Sequence, residues 1–211
     1  MEIKKLSHYI NQAKIIKPEI HNKKVRIAFL GSFTLNGFEE TIQVQCNEEK
    51  INCITYNAPY NQYNQEILNE NSELYKFNPD IIFFLIDNRI ILDNLFYFPY
   101  EYSEEDRKKF VDEKYLELKN LIKTISKNLQ SKLVITNFVI PTYSPFGIFE
   151  SKVEFGLKDI VLDLNKKLKE LCKNQDSVYL YDFNSFVTKF GERNVLEYKK
   201  MFFGEDRKSV V

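Results

Sequence analysis

A glycine and a hydroxyl close an apolar run near the start of this chain: VRIAFL leads into residues 30–40, LGSFTLNGFEE. Ser32, at the end of a strand signal and just before helix-forming residues, stands where an acyl-transfer nucleophile would stand. Backbone amides near Ser32 and Asn88 would then serve as oxyanion donors. A phosphate cradle is excluded by spacing. The Gly-x4-Gly-Lys-Ser/Thr loop uses its lysine and hydroxyl on phosphates and magnesium. Here Gly31 and Gly37 enclose one residue too many, and Phe38-Glu39 replaces the Lys-Ser/Thr pair. Glu39 and Glu40 would repel phosphate, and the dinucleotide fingerprint GxGxxG is absent.

A serine nucleophile needs a base. The only histidines, His8 and His21, precede the first strand. A parallel sheet receives its chain at the amino ends of its strands, which puts His21 at the pole opposite Ser32. Lysine or aspartate could replace histidine, but no spacing singles one out. Structural roles compete for the same residues. Gly31 relieves a tight turn, and Ser32, Thr34 or Asn36 caps a helix. Asp87 and Asp182 cap the helices that follow them. Arg89 pairs with either aspartate or receives a carboxylate or phosphate. Asp159 and Asp163 lie one helical turn apart, but no histidine faces them, so they read as a solvated pair and no metal site is expected.

The elements that position these residues alternate along the chain. Strand signals lie at 25–30, 51–56, 81–86, 132–137 and 178–182, and helix signals at 37–49, 61–70, 104–130, 152–174 and 183–190. A first helix is expected over residues 3–16. Ser103 before Glu104, Glu105 and Asp106 supplies a cap and anions for a helix start. Val111, Leu118, Ile122 and Ile125 then recur on one face. Residues 93–103, DNLFYFPYEYS, read as an irregular aromatic loop over the sheet's carboxyl edge.

Near-continuous apolar strands between amphipathic helices imply a parallel sheet covered on both faces. The expected fold is an α/β three-layer sandwich with a five-stranded parallel sheet in order 2-1-3-4-5, plus an N-terminal helix. The loops after its strands then meet at one pole, where such folds bind ligands. They bring Gly31, Ser32, Asn61, Asp87, Asn88, Arg89, Asn137 and Asp182 together as a polar ring.

Length and composition bound the function. The 211 residues fit one domain with a small appendage, and 44% hydrophobic content can build its core. Lys+Arg and Asp+Glu are both 30, which gives no electrostatic reason to expect nucleic acid. No apolar run approaches the roughly 20 residues that span a bilayer, and no secretory signal opens the chain. Cys46, Cys53 and Cys172 have no CxxC spacing and read as free thiols in a reducing cytoplasm.

The stretch APYNQYNQEILNENSELYKFNPDIIFFLIDNR at 58–89, taken with VRIAFLGSFTLNGFEE upstream, resembles the N-terminal domain of the FkbH-like family. The agreement is strongest over residues 25–92 and looser through YDFNSFVTKFG and EYKKMFFG. The resemblance implies an SGNH-hydrolase-like α/β/α domain over 25–203, behind a helical extension at 1–24. It also implies a following haloacid-dehalogenase-type (HAD) phosphatase-like domain, with glyceryl loading of an acyl carrier protein in some family members. Magnesium would belong to that HAD domain, and no cofactor is expected in this chain. The HAD nucleophile motif Asp-x-Asp-x-Thr/Val is absent, so 204–211 reads as a truncated or disordered tail. The Gly-Asp-Ser block of SGNH hydrolases is reduced to Leu30-Gly31-Ser32, and no histidine completes a terminal Asp-x-x-His block. The resemblance therefore implies a substrate- or carrier-binding or accessory role with a retired serine; the alternative is an active esterase, thioesterase or acyltransferase using Ser32.

Overall fold

The computed structural model describes residues 4–16 and 21–195. Its elements in chain order are α1 (Leu6–Ala13), β1 (Lys23–Gly31), α2 (Phe38–Glu48), β2 (Ile51–Asn57), α3 (Tyr63–Leu68), α4 (Glu73–Phe77), β3 (Ile81–Leu85), α5 (Asn88–Leu92) and α6 (Asn94–Tyr97). A 3-10 turn at Pro99–Glu101 leads into α7 (Glu104–Asn128) and β4 (Lys132–Thr136). A second at Gly147–Lys152 precedes α8 (Leu157–Lys173), β5 (Val178–Tyr181), α9 (Phe183–Phe190) and α10 (Glu192–Val195).

The five strands form one sheet in the order β2-β1-β3-β4-β5, and every pairing is parallel. Strand alternation sends the residues of β1 to opposite faces. Ala28 and Leu30 join Ile82 and Phe84 in the larger core, which α7 and α8 cover with Val111, Leu118, Ile122, Val161, Leu164 and Leu168. Ile27, Phe29 and Leu85 face a smaller core containing Leu35 and, from α2, Ile42 and Cys46. Phe29 and Phe84 are wholly buried, and each such side chain contributes about 1.5–3 kcal/mol of transfer free energy. Central strands buried on both sides explain the near-continuous apolar runs in the sequence.

Three expectations need correction. The helix expected over 61–70 is shorter, Tyr63–Leu68, ending before Asn69 accepts the Asn71 amide in a side-chain turn, and a second short helix not expected from sequence follows at Glu73–Phe77. Glu66 then accepts the Leu74 amide at 3.0 Å and starts the second helix. The helix expected from 152 begins at Leu157, where Asp159 reaches back to the Gly156 amide at 3.0 Å; Val153 precedes it. The 93–103 segment contains α6 and a 3-10 turn rather than wholly irregular chain. The EYKKMFFG segment, the 203 boundary and the 204–211 tail lie outside the described residues.

Candidate functional site at the carboxyl edge of the sheet

The register of β1 against β3 sets Gly31 opposite Leu85, so Ser32 arrives beside the turn that leaves β3. Two bonds fix it there. The Ser32 amide donates to the Leu85 carbonyl at 3.0 Å, and the Ser32 hydroxyl oxygen accepts the Asp87 amide at 2.8 Å. Ser32 is only 1% exposed. The loop after β2 closes over the same strand end, with the Asn61 amide on the Gly31 carbonyl at 3.2 Å and the Ala58 amide on Phe29 at 2.9 Å. Asn61 itself is exposed and takes a left-handed backbone, φ 53°, which asparagine tolerates.

Asp87 caps α5. Its Oδ1 accepts the Arg89 amide at 2.7 Å and Arg89 Nε at 3.2 Å, and its side chain is 2% exposed. The Asp87 amide thus bonds the Ser32 oxygen while its Oδ1 is taken by Arg89. Asn88 donates to the Val139 carbonyl, tying β3's exit to the chain after β4.

A second cluster forms where β4 and β5 end. Asn137 Nδ2 donates to Asp182 Oδ1 at 2.7 Å, and Asn137 Oδ1 accepts the Asn184 amide at 2.9 Å. Asp182 caps α9, taking the Ser185 amide at 3.0 Å and the Ser185 hydroxyl at 2.6 Å. These bonds from Ser185, and that from Asn137, hold the Asp182 carboxyl below its ordinary range. The ring expected from sequence is therefore two bonded groups, Gly31-Ser32-Asn61-Asp87-Arg89 and Asn137-Asp182. Asn88 links the first group to the segment that follows Asn137.

Neither imidazole bonds to Ser32 among the described residues. His21 Nε2 lies 3.1 Å from Asn47 Oδ1, and its amide meets Asn52 Oδ1 near the start of β2. That is the amino pole, roughly 30 Å from Ser32 at about 3.3 Å per strand residue. The His8 ring stands edge-on to Tyr9, on the helix that packs over α2. Asp163 pairs with Lys167 and Asp159 caps α8. Among the described residues no three His, Cys, Asp or Glu side chains gather to hold a metal ion.

The family model for the FkbH N-terminal domain matches residues 26–206. The chain belongs to that family. No curated protein matches this FkbH N-terminal domain in sequence. Among solved structures it is similar to the N-terminal part of the protein BF1531 from Bacteroides fragilis, which contains a phosphatase domain complexed with Mg. The TM-score is 0.81 at 16% identity, over 99% of this chain and 53% of that one. The FkbH N-terminal domain thus spans about half of that chain. It is also similar to the lipase Lip_vut3 from a goat rumen metagenome (TM-score 0.51, 12% identity, 83% of this chain and 88% of that one). A protein described as a GDSL-like lipase from Parabacteroides merdae gives a TM-score of 0.51 at 14% identity, over 90% of this chain and 89% of that one. At these identities the likeness is one of fold.

In this fold the FkbH N-terminal domain has a serine, Ser32, directly after β1 and an aspartate, Asp182, directly after β5. Ser185, three residues after Asp182, returns its hydroxyl to the Asp182 carboxylate. Asn184 and Asn165 were not foreseen. Asn165 accepts the Phe138 amide at 2.8 Å and donates to its carbonyl at 2.7 Å, and Asn184 accepts the Ile140 amide at 2.9 Å. A lone asparagine beside the apolar stripe of α8 was the available signal for Asn165.

Proposed function

We propose that this FkbH N-terminal domain is a non-hydrolytic, SGNH-like accessory domain that serves a HAD-type phosphatase-like catalytic domain by binding its substrate or an acyl carrier protein. The chemistry it accompanies would be glyceryl transfer from a phosphorylated three-carbon donor, or a phosphatase-like reaction. Any magnesium requirement would belong to the catalytic domain. The observation that carries this reading is the Ser32 hydroxyl, buried and held as the acceptor for the Asp87 amide. A nucleophile must show its oxygen to a reacting carbon and hand its proton to a base. Here the oxygen is covered and the neighbouring carboxylate is engaged by Arg89.

The rival reading, an esterase, thioesterase or acyltransferase using Ser32, is separated by one experiment. The purified chain and Ser32→Ala are assayed with p-nitrophenyl acetate and with an acyl-carrier thioester. Equal background rates are expected. Turnover by the wild type that vanishes in Ser32→Ala would replace the accessory reading with the rival.

A further inference from the structure

Two loops near the carboxyl edge carry large apolar side chains that are exposed among the described residues. Phe98 (43% exposed) and Tyr100 (56%) belong to the segment between α6 and α7. Tyr143 (75%), Ile148 (98%) and Phe149 (59%) belong to the segment between β4 and α8. The segments meet through the Tyr100 and Phe146 rings, 6.3 Å apart, and Phe98 lies 6.2 Å from Tyr100.

The loops are braced. Arg107, buried on α7, donates Nε to the Phe155 carbonyl at 2.9 Å and Nη2 to the Glu154 carbonyl at 2.8 Å. Its Nη1 reaches the Pro99 carbonyl at 3.3 Å and also bonds the Tyr102 carbonyl. One guanidinium thus ties the two segments together, lying 5.8 Å from the Phe146 ring centre. Glu150 accepts the Lys158 amide at 2.9 Å and bonds the Ser144 hydroxyl, anchoring the second loop to α8. Apolar groups on such a support lose little further freedom on association, which is the condition that favours a binding face.

We infer that the chain pairs with a second copy of itself through this surface, in a two-fold arrangement. Large apolar side chains left exposed on two segments that meet through Tyr100 and Phe146 are the mark of an interaction site. Taking about 200 Å² per aromatic ring, the exposed fractions with Ile148 give roughly 600 Å². That is most of the about 800 Å² per partner found in stable complexes. The chain carries zero formal charge, so no net repulsion opposes association of two copies. Exposed groups of opposite sign flank the apolar strip, Glu101 beside Tyr100 and Lys152 at the end of the turn that carries Phe149. A two-fold interface is self-complementary, and sets Glu101 of each copy against Lys152 of the other.

Sedimentation velocity across a concentration series tests this on the intact chain of 25.2 kDa. The expected result is a reversible dimer that weakens as salt is raised. Ile148→Glu with Phe149→Glu should weaken it at least tenfold, whereas Leu116→Glu, exposed on α7, should leave it unchanged. Glu101→Lys and Lys152→Glu should each weaken it, and the two together should restore it. A monomer at every concentration would overturn the inference and leave the surface to a different protein. A dimer indifferent to the Ile148/Phe149 change would overturn it as well.

Discussion

The Ser32 hydroxyl oxygen accepts the backbone amide of Asp87 at 2.8 Å, across the 55 residues that separate the ends of β1 and β3. The bond joins two neighbouring strands at the pole where such folds bind ligands. It also gives the serine a structural task that an alanine cannot perform. Ser32→Ala strands a buried amide without its acceptor, which costs about 1–3 kcal/mol. Urea unfolding should show a lowered midpoint at constant slope. Under the accessory reading this loss occurs with no change in ester turnover.

Asp182 should give the fold part of its acid sensitivity. The Ser185 hydroxyl and amide, then Asn137, hold its folded pKa below the ordinary value, with Lys169 adding a smaller pull. A carboxyl depressed on folding contributes stability above its unfolded pKa and loses it as pH falls through the folded one. The contribution is therefore full above about pH 4 and fades below it. Melting temperatures between pH 2.5 and 6 should fall less steeply in Asp182→Asn than in the wild type. Parallel curves would remove Asp182 from the acid transition.

The sheet was legible because central parallel strands must be apolar on both faces, as VRIAFL and IIFFLI are, and because two long helices repeat their apolar residues at helical spacing. Strand order followed from handedness and short connections. That these polar residues stand at the strand ends was legible; that they bond in two groups, around Ser32–Asp87 and around Asn137–Asp182, was not. Sequence left Asp87 open as cap, charge partner or catalyst; side-chain geometry made it a cap and a partner for Arg89 while turning its amide on Ser32. Arg107 was invisible for a different reason. A single arginine among the charges of α7 carries no periodic mark, and its four carbonyl acceptors come from segments that converge only in three dimensions.

Arg107→Met tests that convergence. Methionine keeps much of the stem's packing and removes every donor, so carbonyls of Pro99, Tyr102, Glu154 and Phe155 lose their partner. Only the Pro99 bond is fully buried and water reaches the other carbonyls in part, so the expected loss is about 1–3 kcal/mol. Hydrogen exchange should accelerate in segments 97–102 and 147–156 before the sheet responds. Uniform acceleration across the molecule would show that the arginine supports global stability rather than the two loops.

The thiols predict the opposite end of the pH scale. Burial pushes Cys53 up to about 12, helped by the charge of Cys46 and its hydrogen bond, and burial pushes Cys172 up to about 11. Both thiols start from an ordinary value of 9.0. An acid whose folded pKa is raised keeps its proton while the unfolded chain releases it, so folding weakens as pH rises above the unfolded value. Stability should decline above pH ~9, and less steeply in Cys53→Ala. At pH 8, iodoacetamide should label the urea-unfolded chain far faster than the native Cys53 and Cys172, since the thiolate is the reactive form.

Gly37 reports whether the first helix is docked. It precedes α2 with φ at 83°, where a side chain costs about 1–2 kcal/mol in backbone strain. A Cβ there would also meet Leu6 Cδ1 at 2.5 Å, because α1 lies directly over this turn. Gly37→Ala should therefore destabilise by more than the backbone cost alone. Leu6→Ala in the same chain removes the overlap and leaves the strain. A double-mutant cycle by urea unfolding should give a coupling energy between the two positions, since additivity fails for residues in contact. Strict additivity would mean that α1 does not rest on Gly37 in solution.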